Sequence, residues 1–317
     1  MEQISAHILT LGTQAQSSLN AWWKSNQPQN TKNMKIPTTV LSHCLAHGPS
    51  ITPDGLRESL KADKALGFGG MVIVPAIIDP THTPEAIAQI FYEMKMTGLV
   101  CGFNPGNGPD PLGDEASLCV ESLRSQAEYA IALADKGCGP ATIVGPVHTH
   151  HMTLRPKWPA DGFKKWMDKI HALAVELDLD VLFEPLNSVE DGTPDPFWTL
   201  YNAVLGREQF GLQWDTGHAY ARALTTKSFS HMAHKVGYFE FANVGRNPLD
   251  NKLGIDFSSY IQAMENLPGG CVVGDEPFDQ SVIQAFGLQQ LCTTMVPGPE
   301  CLARDATFLR SLGVMVF

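Results

Sequence analysis

Phe210-Gly211-Leu212-Gln213-Trp214-Asp215-Thr216-Gly217-His218 is a short apolar run that ends on a carboxylate and leads into a turn containing glycine. The same grammar recurs in Val181-Leu182-Phe183-Glu184-Pro185, in Tyr238-Phe239-Glu240-Phe241 and in Val272-Val273-Gly274-Asp275-Glu276. Brief apolar runs bounded by turn signals read as strands buried on both faces, the kind found in parallel sheets. Period-two alternation puts Tyr238, Glu240 and Ala242 on one face of their strand and Phe239 and Phe241 on the other. Glu240 therefore faces inward if the Phe pair packs against helices.

Working outward, apolar runs lie at Thr38 to Leu41, Gly70 to Ala76, Leu99 to Phe103, Ala141 to Val147, Asp180 to Phe183, Phe210 to Trp214, Gly237 to Ala242 and Cys271 to Gly274, eight candidate strands. Segments of helical periodicity separate most of them. One places Phe163, Trp166, Met167, Ile170, Leu173, Ala174 and Leu177 on a single stripe. Another gathers Ile87, Ile90, Phe91 and Met94 behind Thr83-Pro84, an N-cap followed by proline at the first helical position, and Thr52-Pro53 repeats that signal. A third carries Cys119, Leu123, Ala127, Ala130 and Ala134 on one face, with Gly137 available to end it. Buried strands alternating with amphipathic helices imply an α/β fold with a parallel sheet covered by helices. Eight units of roughly 35 residues suit a closed (β/α)8 TIM barrel. A doubly wound open sheet is the alternative, weakened because no glycine-rich phosphate loop follows an early strand.

The domain reading is a barrel over residues 36–317, preceded by an extension and linker over residues 1–35. That extension holds Trp22 and Trp23, which suit a packing anchor or a subunit contact, and a polar stretch from Lys24 to Lys35. A homo-oligomer is therefore possible. The chain is 317 residues long, 44% hydrophobic and 17% charged, which excludes a disordered or collagen-like chain. A net charge of −11 and the lack of a basic run argue against nucleic acid as a partner. No apolar stretch approaches the ~20 residues that span a bilayer, so no membrane partner is expected. Seven scattered cysteines without a CxxC pair, and no signal-like N-terminus, indicate a reducing, cytoplasmic location.

Strand C-terminal ends of a barrel surround one mouth, so Glu184, Asp215, Glu240 and Glu276 can converge there. Unpaired burial of carboxylates is costly, and such a ring requires a cation, extensive hydrogen bonding or protonation. A divalent ion that prefers hard oxygen ligands, Mn2+ or Mg2+, answers that requirement. His218 follows Asp215 across Gly217, where the backbone can approach a ligand closely, and Arg246 follows the seventh strand with a fixed positive fork for substrate oxygens. His148, in His148-Thr149-His150-His151, is a substrate contact, since adjacent loop histidines point in different directions. His43 and His47 after the first strand are further mouth candidates. Trp158 can wall the site or pack against the rim.

At Phe183 to Asn187, Trp214 to His218, Asn243 to Arg246 and Glu276 to Phe278 the chain resembles the xylose isomerase-like barrel superfamily, in its sugar isomerase and epimerase branch. The resemblance implies that Glu184 and Glu276 are both metal ligands and the acid/base pair. It also implies that Asp215 is a ligand, and that His218 and Arg246 hold substrate oxygens. Where the family usually places a histidine ligand, six residues before the arginine, this chain has Glu240, which makes the site more anionic and favours harder cations than Zn2+. The expected activity is a metal-dependent ketose epimerase or isomerase acting through an enediolate on a small carbohydrate. The alternatives are a lyase or C-glycoside-cleaving subunit using the same enolisation, and a sugar-binding partner with altered chemistry.

Overall fold

Eight runs of Val, Ile, Leu and Phe, almost entirely buried, form the strands of a computed structural model that describes residues 39–103, 109–147, 160–186, 195–264, 271–289 and 292–315. They are β1 (Val40–His43), β2 (Gly70–Ile73), β3 (Thr97–Cys101), β4 (Thr142–Gly145), β5 (Asp180–Phe183), β6 (Phe210–Asp215), β7 (Val236–Phe241) and β8 (Val272–Asp275). All neighbours pair in parallel in sequence order, and β1 pairs with β8 to close a TIM barrel. The open-sheet alternative is thereby excluded. The extension over residues 1–35 lies outside the described residues.

Helices α1 (Pro53–Ala65), α2 (Pro84–Met94), α3 (Ala116–Asp135), α4 (Ala160–Glu176), α5 (Pro196–Val204), α6 (Thr216–Ala221), α7 (Thr226–Met232), α8 (Phe257–Met264), α9 (Gln280–Ala285) and α10 (Gly298–Ser311) lie between and after the strands. Both Thr-Pro signals start helices as expected. The Thr52 hydroxyl accepts from the Gly55 N–H and the Thr83 hydroxyl from the Ala86 N–H. On α4, Trp166, Met167, Ile170, Leu173 and Ala174 are buried, which is the stripe read from the sequence. Among the described residues no helix is long and apolar enough to cross a membrane.

Alternation within each late strand decides what reaches the barrel interior. Trp214 points outward, against Phe197 of α5 and Phe229 of α7, and Phe239 packs on Phe229 and Tyr260 of α8. Phe183 meets Trp166 of α4 on the outside. With these aromatics fixed outward, Gln213 and Asp215, Tyr238 and Glu240, and Glu184 must face inward. The inward position of Glu240 expected from its flanking Phe pair is the one found.

Candidate active site

The four acids stand at the C-terminal ends of β5 to β8, and one carboxylate oxygen from each of Glu184, Asp215, Glu240 and Glu276 lies within 4.8 Å of the others. All four are buried, none more than 6% exposed. Glu184 and Glu276 line a cavity of about 200 Å3 together with His218 and Arg246, with Leu45 and Phe278 among its apolar walls. Asp215 and Glu240 are directly paired in the β6–β7 ladder, so backbone register alone brings their carboxylates together.

Arg246 enters this ring from the loop after β7. Its Nη1 donates to Asp215 Oδ2 at 2.7 Å and its Nη2 forms an ion pair with Glu276 Oε2. The guanidinium also lies 5.2 Å from the Phe278 ring centroid, a cation–π contact. Reaching that position requires consecutive left-handed residues, Gly245 (φ 66°) and Arg246 (φ 57°). A non-glycine residue in that region costs ~1–2 kcal/mol and persists where surrounding contacts outweigh the strain. Here the two carboxylates do so, and the Gly245 carbonyl is tied down by the N–H groups of Thr293 and Thr294.

Asp215 serves two partners. Its Oδ1 accepts from the His218 N–H at 2.6 Å, capping α6, while Oδ2 accepts from Arg246. Gly217 lines the cavity, and a Cβ there would sit 3.2 Å from the Asn243 carbonyl and 3.4 Å from that of Ala242, so the small residue also makes room for protein backbone. His218 Nε2 lies 3.2 Å from Arg246 Nη2 and 3.3 Å from Glu184 Oε1. A neutral Nε2 accepts from the guanidinium, and a protonated ring can donate to Glu184.

Electrostatics follow from burial and from one guanidinium among four acids. Burial pushes Glu240 well above the ordinary carboxylate range, with Glu276, Glu184 and Asp215 adding repulsion. Burial likewise raises Glu276, and Glu184 and Asp215 add to it against the pull of Arg246. For Asp215, burial works upward, but the charges of Arg246 and His218 and the hydrogen bonds they give outweigh it and hold the acid low. Arg246 is held firmly protonated: burial disfavours its charge, and Asp215 and Glu276 more than compensate.

His43 stands beside the acids, with a ring nitrogen and one carboxylate oxygen each of Glu240 and Glu276 within 4.8 Å of one another. Its Nδ1 accepts from the Leu45 N–H at 3.2 Å, which leaves the proton on Nε2, 3.9 Å from Glu276 Oε1. Burial, helped by the charge of Arg246, lowers it to about 3, so it is neutral. His47 turns away to Asp63, at 3.0 and 3.1 Å, and Ser42 donates to the same carboxylate. That knot ties the loop after β1 to α1. His148, His150, His151 and Trp158 lie outside the described residues.

Two side chains were given no role in the sequence reading. Tyr238 Oη donates to Glu240 Oε1 at 2.9 Å, and Gln213 Nε2 donates to Glu240 Oε2 at 2.5 Å. Each sits two residues before an acid on its own strand, the spacing that puts both on the same face. That period was the available signal.

The donor set suits a hard divalent ion. Among the described residues four buried carboxyl groups face one guanidinium, and their oxygens already lie close together. Glu240 accepts one hydrogen bond on each oxygen and retains further lone pairs, since a carboxylate offers about four.

A family model described as Xylose isomerase-like TIM barrel matches residues 60–311. No curated protein sequence matches the chain. Among solved structures, D-allulose 3-epimerase from Methylomonas sp. superposes with a TM-score of 0.69 at 14% identity, covering 88% of this chain and 100% of that one. L-ribulose 3-epimerase gives 0.71 at 16% identity, covering 86% and 94%. D-psicose 3-epimerase from Clostridium cellulolyticum H10 gives 0.67 at 12%, covering 88% and 100%. At these identities the likeness is one of fold.

Proposed function

The chain belongs to the xylose isomerase-like TIM barrel family, and from that premise we propose that it is a divalent-metal-dependent ketose epimerase or isomerase that moves a proton alpha to a carbonyl. The observation that carries this reading is the ring of Glu184, Asp215, Glu240 and Glu276 with Arg246 and His218 set into it at the mouth of the barrel. Structural neighbours named as 3-epimerases of D-allulose, L-ribulose and D-psicose support a small ketose as the substrate class. Seven free cysteines, all buried, support a reducing compartment.

Glu184, Asp215, Glu240 and Glu276 would hold the ion, and their all-oxygen character favours Mn2+ or Mg2+. A bound divalent ion supplies Lewis acidity, which makes a carbon acid next to a carbonyl accessible to a carboxylate base. Glu184 and Glu276 are the acid/base pair: one removes the proton and the other returns it, to the opposite face or to the neighbouring carbon. Arg246, held charged by Asp215 and Glu276, faces the cavity and compensates negative charge that develops on substrate oxygen. His218, between Arg246 and Glu184, orients a substrate oxygen from the side.

The test is conversion of a panel of ketopentoses and ketohexoses by the Mn2+-loaded protein, followed chromatographically, with Glu184→Gln and Glu276→Gln beside the wild type. Loss of a general acid or base predicts a fall in kcat of about 100- to 10,000-fold for each variant. Turnover unchanged in both would rule out the two-carboxylate mechanism.

A further inference from the structure

Tyr238 and Gln213 take no part in the proton transfer proposed above, yet both direct a polar atom at Glu240. Resting on the ion-binding part of that reading, we propose that Tyr238 and Gln213 are positioning residues that set Glu240 as an oxygen ligand for a divalent ion. Gln213 and Tyr238 are paired across the β6–β7 ladder, as are Asp215 and Glu240 one step nearer the mouth. All four are buried. The Tyr238 hydroxyl and the Gln213 amide therefore reach Glu240 from within the barrel, one on each carboxylate oxygen.

The chemistry of these two donors favours a ligand-holding role. A carboxylate buried for packing alone needs its charge neutralised, and a neutral hydroxyl and a neutral amide orient it without doing so. The described cation of the ring, Arg246, pairs with Asp215 and Glu276. Glu240 is thus oriented by neutral groups, and no described cation is paired with it. Gln213 commits its amide nitrogen to Glu240 and leaves its own Oε1 buried without a hydrogen-bond partner among the described residues. A third strand cooperates: a Cβ on Gly274 of β8 would stand 1.8 Å from the Tyr238 hydroxyl, so glycine is required there for the phenol to lie beneath the acids. Hydrogen bonds of this kind fix the rotamer and plane of a ligand, and losing one typically lowers ion affinity about tenfold to a hundredfold.

The test is Mn2+ affinity, read from the electron paramagnetic resonance signal of the free ion, for wild type, Tyr238→Phe, Gln213→Met, Glu240→Gln and the double variant Tyr238→Phe/Glu240→Gln. The two single positioning variants should weaken binding by about tenfold to a hundredfold. Tyr238→Phe should add no more than about a twofold change once Glu240 is already Gln, because it acts through that carboxylate. If Tyr238→Phe does not fold, Gln213→Met with its own Glu240→Gln cycle carries the same test. Affinity unchanged in both positioning variants, an equal loss in the Glu240→Gln background, or no Mn2+ binding by the wild type would overturn the proposal. Sugar conversion is a separate readout: intact conversion with failed coupling leaves the epimerase reading standing, and intact coupling without conversion removes that reading alone.

Discussion

A left-handed backbone, two buried carboxylates and an aromatic face meet at Arg246. Substituting Met leaves Asp215 and Glu276 as uncompensated buried charges, a loss of about 3–5 kcal/mol when one partner of a buried ion pair is removed. The variant should melt well below the wild type without added metal, and Mn2+ should recover more of its stability than the wild type gains, because the ion restores positive charge to the same carboxylates. Thermal unfolding with and without Mn2+ reads both effects; an unchanged melting temperature would show that the guanidinium is dispensable to the ring. At Glu240 the donor itself can be exchanged. Glu240→His should shift the ratio of Zn2+ to Mn2+ affinity toward Zn2+, since imidazole suits zinc and carboxylate suits manganese. Competition binding checks it, and a ratio that does not move would separate Glu240 from the ion.

Within the elements, side chains of adjacent strands share one interior. The predicted clash of a Cβ on Gly274 with the Tyr238 hydroxyl and ring makes Gly274→Ala an overpacking change of about 1–3 kcal/mol. The variant should unfold at lower denaturant with an unaltered slope, and equal midpoints would mean the barrel relaxes at no cost. The strands themselves were legible because parallel barrel strands are continuous apolar runs, and the helix starts because Thr-Pro is a capping signal with a mechanism. Strand ends were less so. The first strand runs to His43 and not to Leu41, because Ser42 and His43 look exposed by composition but are buried with partners, Asp63 for one and the Leu45 N–H for the other. Gln213 and Tyr238 were missed for a related reason. A polar residue inside an apolar run draws no notice until the inward acid it serves is known.

For the whole molecule, one joint outside the mouth is where Asp305 of α10 meets Asp275 of β8. Asp305 of α10 accepts from the Leu249 N–H at 2.5 Å and hydrogen-bonds Asp275, which faces outward one residue before Glu276. Burial raises Asp305 to about 7. An acid whose folded value is raised above its unfolded one contributes stability that is lost as pH rises through the folded value. His43, neutral and lowered to about 3, acts in the opposite sense, but only below its ordinary value of 6.5. In the ion-free protein Asp305 should therefore contribute a loss of stability as pH rises from the ordinary carboxylate range to about 7, and no further loss above it. Asp305→Asn should flatten that slope, and a chemical-denaturation series across this range tests it; identical slopes in the two proteins would place the dependence elsewhere. At this scale the closed barrel and the site on its C-terminal rim follow from the order of the apolar runs, whereas the Asp275–Asp305 contact, between residues 30 positions apart in sequence, carries no local signal.

Hydrogen exchange at a ketose carbon is the most direct measure of the proposed chemistry. With the Mn2+-loaded protein in D2O, proton NMR of the sugar should show the signal alpha to the carbonyl vanish as deuterium enters from solvent, and the loss should stop when the ion is chelated. A full proton signal after prolonged incubation of every ketose tried, with Mn2+ bound, would contradict the account.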